Sequence, residues 1–129
     1  MPSLKKVKQE AWDFYQKWRK EETYSPAFKS TIRVSLIGWK HISPFGGIRK
    51  RTYQDAYRRY KLLPHAKEII EKSTTIQNVV EKGGRKFYAL EAMVKVAYKN
   101  NPEDRKVRVI LVEDKLGNKV FFSVMDRKT

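Results

Sequence analysis

Between Tyr88 and Tyr98 every even position is apolar or aromatic (Tyr88, Leu90, Ala92, Val94, Val96, Tyr98), while Glu91, Lys95 and Lys99 lie on the other side. A period of two belongs to the pleated strand, whose successive side chains point to opposite faces, so this run predicts a long strand with one buried face. Glu81-Lys82-Gly83-Gly84 upstream reads as a hairpin turn, which makes Thr75 to Val80 the antiparallel partner. Downstream, Lys106 to Glu113 buries Val107, Val109 and Leu111. Asp114 to Lys119 then turns into Val120 to Met125, on which Val120, Phe122 and Val124 are expected to share a face. The second half of the chain is thus predicted to be an antiparallel meander of about four strands.

The first half repeats differently. Leu4, Val7, Ala11, Phe14, Tyr15 and Trp18 recur at helical spacing, with Lys5, Lys6, Gln9, Asp13, Gln16 and Lys20 on the more polar side, so residues 4–20 predict an amphipathic helix. Its aromatic stripe suits a base-stacking platform or a packed core, and the helical spacing favours the core. Glu21 to Pro26 reads as a linker, because proline disfavours helix at the residue before it. Ile32 to Leu36 alternates like a short strand or an extended entry into the core. Gly38 to Pro44 follows, and Phe45-Gly46-Gly47 reads as a flexible loop. Thr52 and Asp55 have the spacing of a capping box, with helix to about Leu62, and Pro64 is placed in the first turn of a second helix running through Ile70. The expected fold is α+β, N-terminal helices before an antiparallel sheet. Residues 1–29 are read as a helical extension and linker and 30–129 as the α+β domain, a single compact domain overall.

Charge narrows the partners. Lys plus Arg number 29 against 14 Asp plus Glu, a formal net charge of +15, with 12% aromatic residues. A field of that sign concentrates polyanions, of which nucleic acid is the commonest, although a solvated basic face also serves solubility alone. The absence of cysteine removes disulfides, thiolate zinc sites and cysteine nucleophiles. Met1 to Lys6 runs into charged helical sequence without an apolar stretch of signal-peptide length, and no later segment approaches a membrane span, so a soluble cytoplasmic protein with no membrane partner is expected. No motif with metal-ligand spacing and no phosphate-binding glycine motif is present, so neither a metal nor any other cofactor is expected.

Two histidines occur. An unperturbed imidazole titrates near pH ~6.5, which suits proton transfer. His41 lies beside Lys40, ahead of a glycine-containing loop and a basic run from Arg49, Lys50 and Arg51 through Arg58, Arg59 and Lys61 in which Asp55 is the one acid. Such a cluster holds a phosphate and stabilises extra negative charge on it; the plainer alternative is a histidine bonded within a loop beside a solvated basic helix. His65, following Pro64, reads as a surface or capping residue. RNA carries its own nucleophile in the 2′-hydroxyl, so its cleavage needs only a base, a proton donor and cationic stabilisation of the transition state, and the chain has those residue types.

The order Gly38-Trp39-Lys40-His41-Ile42, Arg51, Arg58 leading into Leu62-Leu63-Pro64 and Ala66, then Tyr88-Ala89-Leu90 and the closing hairpin from Val107 to Phe122-Ser123-Val124-Met125, resembles the phage-associated branch of the barnase, EndoU, colicin and RelE-like nuclease superfamily. The resemblance covers residues 30–128 and rests on single residues along a shared α+β scaffold. It implies a metal-independent ribonuclease, such as a toxin or phage-derived effector, with His41 transferring protons, Arg51 binding phosphate and Ser123 supplying a hydroxyl on the last strand. Lys40, Arg49, Lys50, Arg58, Arg59 and Tyr88 are the expected RNA contacts. Two other classes stay open: a non-catalytic nucleic-acid-binding module stacking bases on aromatics such as Phe87 and Phe121, and an interaction domain whose basic surface meets an acidic antitoxin or immunity protein.

Overall fold

Tyr15 and Trp18 of the first helix and Phe121 of the last strand are all fully buried and stack on one another, with ring centroids 5.0–6.1 Å apart. The two ends of the chain therefore share one core. The computed structural model describes residues 4–43, 52–98 and 101–128. Helix α1 (Leu4–Lys20) buries Val7, Ala11, Tyr15 and Trp18, the stripe that its 3.6-residue period puts on one side. A short hairpin follows, β1 (Thr23–Ser25) and β2 (Ser30–Ile32), then helices α2 (Leu36–Ile42) and α3 (Tyr53–Lys72). Four antiparallel strands complete the chain in sequence order: β3 (Asn78–Lys82), β4 (Arg85–Val96), β5 (Glu103–Glu113) and β6 (Lys119–Lys128). This is the α+β architecture expected from the change of period.

The period-two reading of β4 holds. Leu90 and Val96 are buried, and Tyr88, Ala92, Val94 and Tyr98 pack against the same core, facing Leu111, Val109 and Val107 of β5. The turn Gly83-Gly84 joins β3 to β4, both glycines having positive φ (60° and 75°), the backbone a two-residue hairpin of this kind requires. Thr52 caps α3, its hydroxyl accepting from the Asp55 N–H at 3.1 Å.

Four expectations about where elements begin and end change. Ile32 to Leu36 is not a strand beyond Ile32, because Ser35 caps α2, and Gly38 to Ile42 lies in that helix. The stretch read as a linker holds β1, whose Thr23 hydroxyl accepts from the Trp18 indole N–H at 2.8 Å inside the core. Pro64 opens no second helix. It sits within α3, on the exposed side, while Ala56, Tyr60, Leu63, Ala66 and Ile70 keep one buried stripe on both sides of it, and that packing holds the helix together across the missing N–H. Finally, β3 begins at Asn78 rather than Thr75.

Strand β6 also departs from strict alternation. The register slips between Ile110 and Leu111: Leu111 faces Phe121 and Ile110 faces Ser123, leaving Phe122 as the extra residue of a β-bulge. A one-residue slip exchanges faces, so Phe121, not Phe122, enters the core beside Val124. The expectation that Phe121 is a stacking surface is corrected by the same slip. The sheet thus has a core side, against α1 and α3, and a second side carrying the odd residues of β4.

Candidate functional site

The bulge in β6 lies against three of the predicted residues, His41, Arg59 and Ser123. As the last strand of the sheet, β6 has a free edge, and three elements satisfy it. Arg33, just past β2, bridges the strand's start, its N–H donating to the Lys119 carbonyl and its carbonyl accepting from the Phe121 N–H, each at 2.9 Å. Helix α2 comes next, packed so closely that Gly38 faces the Phe121 carbonyl. Beyond it, Arg59 in α3 donates through Nη1 to the Ser123 hydroxyl at 2.7 Å and to the Val124 carbonyl at 3.2 Å. On its other flank Arg59 Nε donates to Asp55 one helical turn earlier, at 3.0 Å. The guanidinium is thereby fixed by strand and helix together.

His41, in the last turn of α2, lies against Phe122 with ring centroids 4.0 Å apart, and Phe122 meets Phe87 of β4 edge to face at 5.3 Å. Three rings therefore run from α2 across β6 toward β4 on the side away from the core. Ser123 is 1% exposed, so its hydroxyl is a partner of Arg59 rather than an open nucleophile. Lys40 is exposed beside His41. Arg49, Lys50 and Arg51 lie outside the described residues.

Two other predicted contacts stand elsewhere. Arg58 ion-pairs with Asp126 at 2.6 Å, and that carboxylate, whose side chain is only 2% exposed, also accepts from the Tyr98 hydroxyl at 2.6 Å and lies 3.6 Å from Arg105. Burial pushes the Asp126 pKa up, but the bonds from Tyr98 and Arg58 and the charges of Arg58 and Arg105 outweigh it and hold the carboxyl below the usual carboxylate range. Tyr88 is on the core side of β4, its ring edge-on to Phe28 at 5.2 Å and its hydroxyl donating to Glu113 at 3.0 Å. It is not on the side that carries Phe87 and Phe122.

That second side bears Lys95 and Glu91, which the alternation had placed there, together with cations the sequence reading did not single out. By register it presents Lys82, Arg85, Lys95, Lys106, Arg108 and Arg127, six cations, against the carboxylates Glu91 and Asp104. Glu91 is half-buried, and although burial works to raise its pKa, the bond from Arg108 and the charges of Arg108, Lys106 and Arg127 lower it. Phe122 was the residue missed, and the signal was Val120-Phe121-Phe122-Ser123-Val124, where adjacent aromatics break the alternation as a bulge does.

Among the described residues there is no group of three or more His, Asp and Glu that could hold a metal, and no helix long and apolar enough to cross a membrane. Fold and site define an α+β protein whose antiparallel meander carries α1 and α3 on one face and a basic, aromatic surface on the other. Comparison with protein-family models, curated proteins and solved structures finds no match.

Proposed function

We propose that this chain is a ribonuclease domain that cleaves RNA without a metal. The observation that carries the reading is the placement of His41 against Phe122, the strand residue next to Ser123, whose hydroxyl holds Arg59. A proton-transfer group and a fixed cation are thus held by adjacent residues of β6. In the proposed reaction His41 takes the proton of the ribose 2′-hydroxyl, the 2′-oxygen bonds to phosphorus, the bond to the 5′-oxygen breaks, and the imidazolium returns a proton to that leaving oxygen. The products are a 2′,3′-cyclic phosphate and a 5′-hydroxyl end, and neither water nor a redox partner is consumed. Arg59, with Lys40 and the basic run Arg49, Lys50 and Arg51, stabilises the charge that builds on the phosphate. Ser123 is a positioning residue for Arg59. Such an activity belongs where RNA is, in the cytoplasm, and an acidic antitoxin or immunity protein is the kind of partner that would restrain it.

The test is incubation of the purified protein with mixed RNA and with DNA, with and without EDTA. Cleavage confined to RNA, resistant to EDTA and leaving cyclic phosphate ends is expected. His41→Ala should abolish it without changing the circular dichroism spectrum. Cleavage by that variant at the wild-type rate removes His41 from the mechanism.

A second reading, a nucleic-acid-binding module without catalysis, is favoured by the burial of the Ser123 hydroxyl and the engagement of Arg59 on both flanks. Salt-dependent RNA binding with no cleavage by the wild type would select it.

A further inference from the structure

We infer that the sheet side bearing Phe87 and Phe122 is a stacking platform for the unpaired bases of a single-stranded nucleic acid, which it leads to His41. The inference rests on the ribonuclease reading for what happens at His41, but not for binding. Its basis is the bulge in β6. Without the extra residue Phe122 would alternate into the core; with it, the ring stands 5.3 Å from Phe87 and 4.0 Å from His41. Both rings are fixed by these contacts and remain partly exposed.

The surroundings select the partner. Lys82, Arg85, Lys106 and Arg127 are exposed on the same side, where the half-buried Glu91 is paired with Arg108 at 2.8 Å and with Lys106 at 3.7 Å. The surplus positive charge matches phosphates, while exposed Val80, 46% accessible and opposite Phe87 in the β3–β4 register, extends the apolar track beside the rings. Cations along an aromatic surface are the arrangement that binds single strands, because every base has a face to stack and every linkage a charge. A duplex offers only the charge, its bases being stacked on one another.

The closing experiment uses DNA, which lacks the 2′-hydroxyl and so cannot be cut by the proposed chemistry. A labelled strand of about ten nucleotides is titrated by fluorescence anisotropy beside an abasic strand with the same phosphates and a duplex of the same sequence. The base-bearing strand is expected to bind at least ~10-fold tighter than the abasic strand, and the duplex no tighter than the abasic strand. Phe87→Leu and Phe122→Leu keep apolar bulk while removing the flat ring, and each should weaken the base-bearing strand ~5-fold or more and leave the abasic strand unchanged. A thermal melt of each variant separates lost stacking from lost fold, and the wild-type comparison of strands reads the platform without any substitution. Equal binding of base-bearing and abasic strands by the wild type, no binding of either, or folded leucine variants that bind like the wild type each overturn the inference. Cleavage of RNA together with any of those results leaves the ribonuclease reading standing alone. Selective binding of the base-bearing strand by a protein that never cuts RNA leaves the platform and removes the catalysis.

Discussion

At Gly38 there is no room for a side chain: a Cβ there would stand 2.8 Å from the Phe121 carbonyl oxygen and 2.6 Å from a carbon of its ring. That close approach seats α2 on β6 and so sets where His41 lies. Gly38→Ala should lower stability by about 1–3 kcal/mol, read as a fall in the thermal midpoint, because backbone on one side and a buried ring on the other leave little room to move. Asp126 matters in a different way. Its carboxylate joins Arg58 of α3 to β6 and receives the Tyr98 hydroxyl, and its pKa is held low in the folded state. A carboxyl whose folded pKa is depressed contributes stability above its unfolded pKa, about 3.9, and loses it as pH falls through the folded value. The gap in thermal midpoint between wild type and Asp126→Asn should therefore be full above pH ~4 and shrink on further acidification. A gap that is constant with pH would mean that the ionised form contributes nothing.

Strand β4 offers a sharper contrast at the level of the element. Leu90 is completely buried opposite Val109, whereas Lys95 is exposed beside Asp104. Leu90→Asp puts an uncompensated charge into the core and should cost about 4 kcal/mol or more, enough to unfold an ordinary domain. Lys95→Asp should stay folded with a near wild-type melt, its cost limited to an exposed ion pair worth under about 1 kcal/mol. Similar midpoints for the two would contradict the two-sided strand. The periods of α1 and β4 were legible because each element buries one face, and burial imprints a repeat on the residues. Helix α3 was legible only in part. Its stripe of Ala56, Tyr60, Leu63, Ala66 and Ile70 runs straight through Pro64, but a proline's local rule says break, and only packing against a core overrides it. Helix α2 was missed for a related reason, since seven residues with a glycine among them have little helical preference of their own and owe their form to Ser35 and to β6.

The whole molecule carries +15, and binding of RNA should show it. Replacing Arg49, Lys50 and Arg51 together by glutamine should weaken RNA binding and flatten the dependence of log affinity on log salt, by about 0.7 in slope for each phosphate of the single strand that is no longer neutralised. An unchanged slope in filter-binding titrations would put the phosphates on other cations, those of the sheet first. Taken alone, the sequence determined the class of the fold, the helix 4–20, the hairpin turns at Gly83-Gly84 and Asp114 to Lys119, the buried face of β4 and the surplus of positive charge. Each of these is local in origin: a repeat, a turn residue or a sum of charges needs no distant partner to be read. What surrounds the site was decided only in three dimensions. Arg59 reaches Ser123 across 64 positions of sequence, and His41 meets Phe122 because a bulge in one strand faces the end of a helix formed much earlier. No periodicity records such meetings, since they depend on how finished elements pack. One extra residue in β6 exchanged the faces of Phe121 and Phe122, and the packing of the folded chain settled which ring closes the core and which stands beside His41.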